Sequence, residues 1–184
     1  MKIVAVLGSP RPQGNSALMA QAFLDEARAR GAEVALYRLN QMKIKGCQGC
    51  NKCKTESQVC VVEDDLTPVY DEVRQADILV LASPVYFGDL SAQLKCFWDR
   101  TYAFANPDFS SRLAPGKKSV IFLAQGAPGE MFDDIHPRYE RWLKMFGFGE
   151  NYLVRGVGVQ GAGEIQNHVE VLEAARDLAR RLVS

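Results

Sequence analysis

Apolar positions in this chain alternate between short continuous runs and longer stretches at helical spacing. Lys2 to Leu7 (KIVAVL) is a β-branched run of the kind that forms a strand buried on both faces. Ser16 to Gly31 follows, with Leu18, Ala22, Leu24 and Ala27 at roughly helical intervals, and predicts a helix. The alternation then repeats. Glu33 to Leu39 is the second predicted strand, and a polar loop containing glycines and cysteines runs from roughly Asn40 to Glu63. Asp64 and Asp65 supply cap residues, and Pro68 an early proline, for a helix reaching about Ala76. Asp77 to Ala82 is the third strand, Ser83 to Asp89 a loop, and Ser91 to about Tyr102 a helix carrying Leu94, Phe97 and Trp98. Ala103 to Gly116 is predicted irregular from Asn106-Pro107 and Pro115-Gly116. Lys118 to Ala124 is the fourth strand. Gln125 to Gly129 turns into a helix over roughly Asp133 to Phe146, Tyr152 to Val159 is the last strand, and Gln166 to Leu182 is a closing amphipathic helix.

Five strands alternating with five helices predict an α/β fold, a five-stranded parallel sheet between two helical layers with right-handed crossovers. The strand order that suits five is 2-1-3-4-5, in which ligands bind outside the carboxyl ends of the first and third strands. Those ends carry the Gly8 loop and the Ser83 loop. The length of 184 residues fits one domain spanning 1–184, with the cysteine-bearing loop at about 40–63 as its one long excursion.

Charge narrows the partners. Lys plus Arg and Asp plus Glu number 22 each, which leaves no net field to attract nucleic acid or an acidic membrane. No apolar run approaches the roughly 18 residues of a membrane span, and the first residues enter a strand with no leader pattern. The expectation is a cytoplasmic protein with small-molecule partners, no nucleic acid and no membrane.

The stretch Gly8-Ser9-Pro10-Arg11-Pro12-Gln13-Gly14-Asn15-Ser16 links the first strand to the first helix and reads as a phosphate cradle. Its last residues form a helix start, where free backbone N–H groups collect. The nucleoside-triphosphate loop spacing fails by one residue and by its lysine, and no G-x-G-x-x-G is present. What remains is hydroxyls at Ser9 and Ser16, an amide at Asn15, a guanidinium at Arg11 and the turn glycine Gly14. That set suits a terminal phosphomonoester such as that of flavin mononucleotide, FMN. An ordinary capped loop is the competing reading. Pro84, Val85, Tyr86, Phe87 and Gly88 then offer backbone N–H groups and two aromatics beside a flat ring, although a hydrophobic connection would have the same composition. Gln125 and Gly126 begin the third wall.

Cys47, Cys50, Cys53 and Cys60 make a C-x2-C-x2-C-x6-C run. This spacing fits a loop wrapped around a 4Fe-4S cluster, a structural zinc, or four reduced thiols without metal. Cys96 reads as a core residue, and His136 and His168 as surface or helix-end groups. Without a G-x-S-x-G elbow, an H-E-x-x-H helix or a conspicuous acid pair, hydrolysis is disfavoured.

Three segments, G-S-P-R-P-Q-G-N-S, the cysteine run with C-V-V-E-D-D-L at its end, and S-P-V-Y-F-G-D-L-S-A-Q-L-K-C-F-W-D-R-T, together resemble the flavodoxin-like NAD(P)H-dependent FMN reductase family. Within that family they are most similar to the iron-sulfur flavoproteins of anaerobic microbes, over nearly the whole chain. The resemblance implies a flavodoxin-like three-layer sandwich. It implies FMN with its phosphate on Ser9, Arg11, Asn15 and Ser16 and its ring against Pro84 to Gly88, and NAD(P)H as an electron donor. Where a 4Fe-4S cluster is present, it implies Cys47, Cys50, Cys53 and Cys60 as ligands. Homodimers or homotetramers with the flavin near a subunit interface follow from the same likeness. The expected function is electron transfer from a reduced donor through FMN to a cluster or acceptor. The alternatives are an NAD(P)H-dependent FMN or quinone reductase without a cluster, a non-enzymatic flavodoxin-like carrier docking to a ferredoxin-type partner, and a zinc module without flavin.

Overall fold

The computed structural model describes residues 1–183. In its sheet β1 (Lys2–Leu7) is paired in parallel with the edge strand β2 (Glu33–Arg38) on one side and with the central strand β3 (Ile78–Tyr86) on the other. β5 (Lys117–Gln125) and β6 (Phe148–Val157) continue the parallel set, giving the order β2-β1-β3-β5-β6. Numbered among the parallel strands alone, this is the predicted 2-1-3-4-5. Alternate residues of the central strands serve the two helical layers. Ile3, Ala5 and Leu7 pack with α1 (Asn15–Ala29) and α6 (Val169–Leu182), through side chains such as Phe23, Leu24 and Leu178. Val4 and Val6 face the other way, toward α3 (Thr67–Gln75), α4 (Ala92–Arg100) and α5 (Ile135–Met145), with Tyr70, Phe97 and Leu143 between them. Burial of both strand faces is what makes these strands continuous apolar runs in the sequence.

Four boundaries differ from the sequence reading. β3 continues four residues past Ala82: Ser83 and Pro84 remain in register with Leu123 and Ala124, and Val85 and Tyr86 pair antiparallel with β4 (Asp89–Leu90). The predicted loop Ser83–Asp89 is therefore a hairpin, turned by Phe87 and Gly88 at φ 49° and 85°. Pro84 removes one donor, but one missing N–H at a strand end does not stop its neighbours pairing. β6 starts at Phe148 because β5 is available to pair with it from Lys117 onward, a tertiary opportunity that overrides the weak strand preference of Gly149, Glu150 and Asn151. A one-turn helix, α2 (Lys52–Thr55), lies within the predicted cysteine loop. The closing helix is interrupted at His168, with a 3-10 turn over Glu164–Asn167 before α6 begins at Val169. Among the described residues no helix is long and apolar enough to cross a membrane.

The start of α4 crosses directly under the end of β1. Ser91 Oγ donates to Gly8 O at 2.7 Å, and the Ser91 N–H donates to Ser83 Oγ at 2.9 Å, so one buried pair of serines ties the two strand ends together. A Cβ at Gly8 would stand 2.6 Å from both Leu94 Cβ and Ser91 Oγ. Neither neighbour is a flexible chain end. Gly8→Ala is expected to destabilise the fold by about 1–3 kcal/mol, an overpacking effect, lowering the melting temperature by several degrees. A melting curve unchanged by the substitution would show that α4 sits further from β1 than described.

Candidate functional site

A cavity of about 190 Å³ opens at the carboxyl ends of β1 and β3, the predicted switch point. Ser9, Arg11, Gly14, Asn15, Pro84, Val85, Tyr86 and Gly126 line it together, so two distant loops and the turn after β5 meet as the sequence suggests. Arg11 is the one charged residue in that lining. With no carboxylate, imidazole or thiol facing it, the cavity is built to receive an anion and has no acid–base pair.

Ser9 shapes the cradle: its hydroxyl accepts from Arg11 N–H at 3.2 Å and donates to Arg11 O at 3.1 Å, and Gly14 N–H closes the turn onto Arg11 O. Gly14 is required by this geometry, since a Cβ there would stand 2.2 Å from Ser9 Oγ. The chain then enters α1 with no side chain capping it, which leaves first-turn N–H groups free at the positive end of the helix. Ser16 lies behind the lining in that first turn, 1% exposed, and among the described residues no group meets its Oγ. A buried unsatisfied hydroxyl beside uncapped N–H groups and one guanidinium is a donor set for a phosphate.

Other predicted residues do different work. The Asn15 amide donates to Gly161 O at 2.9 Å and accepts from Ile165 N–H at 3.2 Å, so this side chain fixes the loop after β6. The Gln125 amide is turned inward to Ala127 O, Gly129 O and Arg155, away from the lining. Phe87 and Gly88 do not line the cavity; Phe87 stands fully exposed in a left-handed conformation at the hairpin tip, a strained placement for an aromatic residue. Sequence reading missed Ala124 at the end of β5, and Val159 and Gln160, which complete the lining, with Gln160 O accepting from Arg11 Nη1 at 3.0 Å. An apolar residue and a glutamine after the last strand carry no local motif.

The four cysteines of the C-x2-C-x2-C-x6-C run line a second cavity, about 240 Å³ in volume. Gly49 and Asn51 at φ 63° and 56° make the tight turns of the loop. The thiols surround a space: among the described residues, no three His, Cys, Asp or Glu side chains converge on a single metal ion. Cys53 is half-buried, and burial pushes its thiol up. Cys96 is half-buried rather than a core residue, with its Sγ 3.8 Å from where a Gly46 Cβ would be.

Cationic side chains hold this loop against the segment after α4. Lys54 Nζ donates to Tyr102 O at 2.6 Å and to Ala105 O, while Arg112 Nη1 donates to Cys53 O, Gln58 O and Ala103 O at 2.8–3.1 Å. Arg100 is buried under the loop and pairs with Asp64 at 2.6 Å. Burial works against both charges. The mutual bond, with the Lys45 and Leu66 N–H groups on the carboxylate, outweighs it and holds the Asp64 carboxyl below its ordinary value. The guanidinium is likewise held above its own. Asp64 therefore does not cap α3, which has no side-chain cap: its carboxylate accepts from Leu66 N–H just ahead of the helix and anchors an arginine 36 residues away.

The two cavities sit at opposite ends of α4. Ser91, at its start, is bonded beneath the switch point, and Arg100, Tyr102 and Ala103, at and after its end, line the cysteine cavity. Nine helical residues separate them, about 14 Å of helix.

Comparison with known proteins places the chain in a family and a fold. The family described as NADPH-dependent FMN reductase matches residues 1–136. An iron-sulfur flavoprotein of Methanocaldococcus jannaschii is 32% identical over 99% of this chain and 95% of its own. One of Methanosarcina thermophila is 30% identical over 85% of this chain and 82% of its own. In fold, the chain is similar to an NAD(P)H:quinone oxidoreductase of Methanothermobacter marburgensis, with a TM-score of 0.81 at 18% identity, covering 100% of this chain and 96% of that one. An FMN-dependent NADH-azoreductase of Bacillus anthracis, solved with FMN, gives 0.75 at 13% identity over the full length of both chains.

Proposed function

The chain belongs to the NADPH-dependent FMN reductase family of oxidoreductases, and from that premise we propose that it is a redox flavoprotein with FMN in the switch-point cavity and a 4Fe-4S cluster in the cysteine cavity. The observation that carries the first half is the buried, unpartnered Ser16 hydroxyl beside an uncapped helix start and Arg11. Ser9, Arg11, Ser16 and the first-turn N–H groups of α1 hold the phosphate, with Gly14 and Asn15 keeping the cradle in shape. Pro84, Val85 and Tyr86 flank the ring, Phe87 and Gly88 turn the hairpin over it, and Gly126 forms the far wall, with Gln125 bracing the loop behind it. The alignment of four thiols around one cavity supports the second half, with Cys47, Cys50, Cys53 and Cys60 as ligands.

Bound FMN accepts two electrons and a cluster passes electrons singly; the protein contributes binding, orientation and charge. Arg11 and the α1 dipole hold the anion. Val85 and Val159 exclude water from the inner wall. The donor in this reading is NAD(P)H or a reduced ferredoxin-type partner, residues 1–184 act as one unit, and the working form is a homodimer or homotetramer in which the exposed Tyr86 and Phe87 are covered.

The test is a visible spectrum of protein purified without oxygen, before and after dithionite, with iron and sulfide measured on the same sample. Flavin bands over a broad absorption that bleaches on reduction, with close to four irons per chain, are expected. Flavin bands without iron would reduce the reading to an FMN or quinone reductase. An absence of flavin would overturn it altogether.

A further inference from the structure

One wall of the cysteine cavity is not explained by holding four ligands. Arg100 is 1% exposed, yet it lines that cavity together with Cys60. Its side chain reaches between the two arms of the cysteine loop. Nη1 donates to Lys45 O at 3.2 Å, on the arm before Cys47, and Nη2 donates to Val62 O at 2.7 Å, on the arm after Cys60. Asp64 takes a further Nη1 hydrogen at 2.6 Å, and the guanidinium lies 5.3 Å above the Tyr70 ring. These bonds use three of the five guanidinium hydrogens. The Nε–H is buried and has no partner among the described residues.

A buried charged donor left unpaired costs free energy that a simple staple would not need to spend. Lysine would carry the same charge, but it lacks the planar fork that reaches both arms and still has an N–H to spare. Lys54 and Arg112, which have no carboxylate partner among the described residues, add positive charge nearby, but Lys54 Nζ and Arg112 Nη1 meet backbone carbonyls and Arg112 Nε–H meets the Asn106 amide oxygen. Arg100 alone combines a buried charge, a grip on both arms and a free hydrogen.

We propose that Arg100 is the positioning residue of the cysteine site, clamping the arms that carry Cys47 and Cys60 and donating its Nε–H to a sulfur of the group those cysteines hold. The inference rests on the cluster reading above. A hydrogen bond and a positive charge at a sulfur favour the reduced, more negative state, so Arg100 raises the reduction potential of the cluster relative to the same cluster without it. A purely structural staple would leave that potential where it is.

The experiment is a redox titration of the intact protein monitored by electron paramagnetic resonance and absorbance, comparing the unsubstituted protein with Arg100→Lys. The flavin in the same molecule serves as the internal reference. The expected result is a cluster potential shifted lower in Arg100→Lys with the flavin potential unchanged and iron content equal. An unshifted cluster potential overturns the proposal. Should Arg100→Lys fail to take up iron, unsubstituted protein labelled with nitrogen-15 arginine decides: pulsed resonance on the reduced cluster is expected to detect coupling to an arginine nitrogen, and no coupling overturns the proposal. Unsubstituted protein that assembles no cluster from iron and sulfide overturns the cluster reading and this inference together, an outcome distinct from a cluster with an unmoved potential.

Discussion

Asp64→Ala is expected to lower the melting temperature by roughly 6–20 °C. The substitution leaves Arg100 as a buried charge without its counter-ion, and breaking such a pair from one side costs about 3–5 kcal/mol, at roughly 2–4 °C per kcal/mol for a chain of this length. It also strands the Lys45 and Leu66 N–H groups that the carboxylate accepts. Asp64→Asn, which keeps the shape and some of the acceptors, should lose less. The pH dependence carries the same signature. Because the folded carboxyl lies below its ordinary value of 3.8, its stabilisation is complete above that value and disappears as pH falls through the lower folded value. Thermal melts across the acid range should therefore show a steeper loss for the unsubstituted protein than for Asp64→Asn. A small, pH-independent change in both variants would mean that the pair is exposed to solvent.

Gly14→Ala should weaken FMN binding by about 100-fold or more, equivalent to about 2.7 kcal/mol. The added methyl would overlap the Ser9 hydroxyl, which in turn holds the Arg11 N–H and carbonyl, so the cradle opens where the phosphate would be seated. Ser16→Ala removes one charge-assisted hydrogen bond and no backbone geometry, and about tenfold weaker binding is expected of it. Flavin fluorescence titration separates the two. Equal affinities for Gly14→Ala and the unsubstituted protein would place the phosphate elsewhere.

Much of this arrangement is legible in the sequence because its signals are local. A strand buried on both faces reads as KIVAVL, and a phosphate cradle reads as glycine, serine and arginine between a strand and a helix. The cysteine run is visible from spacing alone, as is the meeting of the Gly8 and Ser83 loops once the strand order is granted. The hairpin at Phe87 and Gly88 is hidden because no asparagine-glycine pair marks its turn. Val159 and Gln160 are hidden because a wall residue needs only to be nearby in space. Arg100 is the instructive case. On the amphipathic pattern of its helix it looks like one more solvent-facing charge, and Asp64 looks like a helix cap. That both are buried against each other under the cysteine loop is a property of the packing between α3, α4 and the loop, which no short window of sequence contains. Their roles, like those of Ser9 and Ser16, become testable only from the assembled site.

The central claim is that the switch-point cavity grips FMN by its phosphate. The direct measurement is a pair of titrations of flavin-free protein, one with FMN and one with riboflavin, which differs by lacking the phosphate. Saturation by FMN at one flavin per chain, with riboflavin bound at least about 100-fold more weakly, is the predicted result, a difference of about 2.7 kcal/mol. Equal affinity for the two flavins would contradict the account, because Arg11, Ser16 and the start of α1 would then hold nothing that distinguishes them.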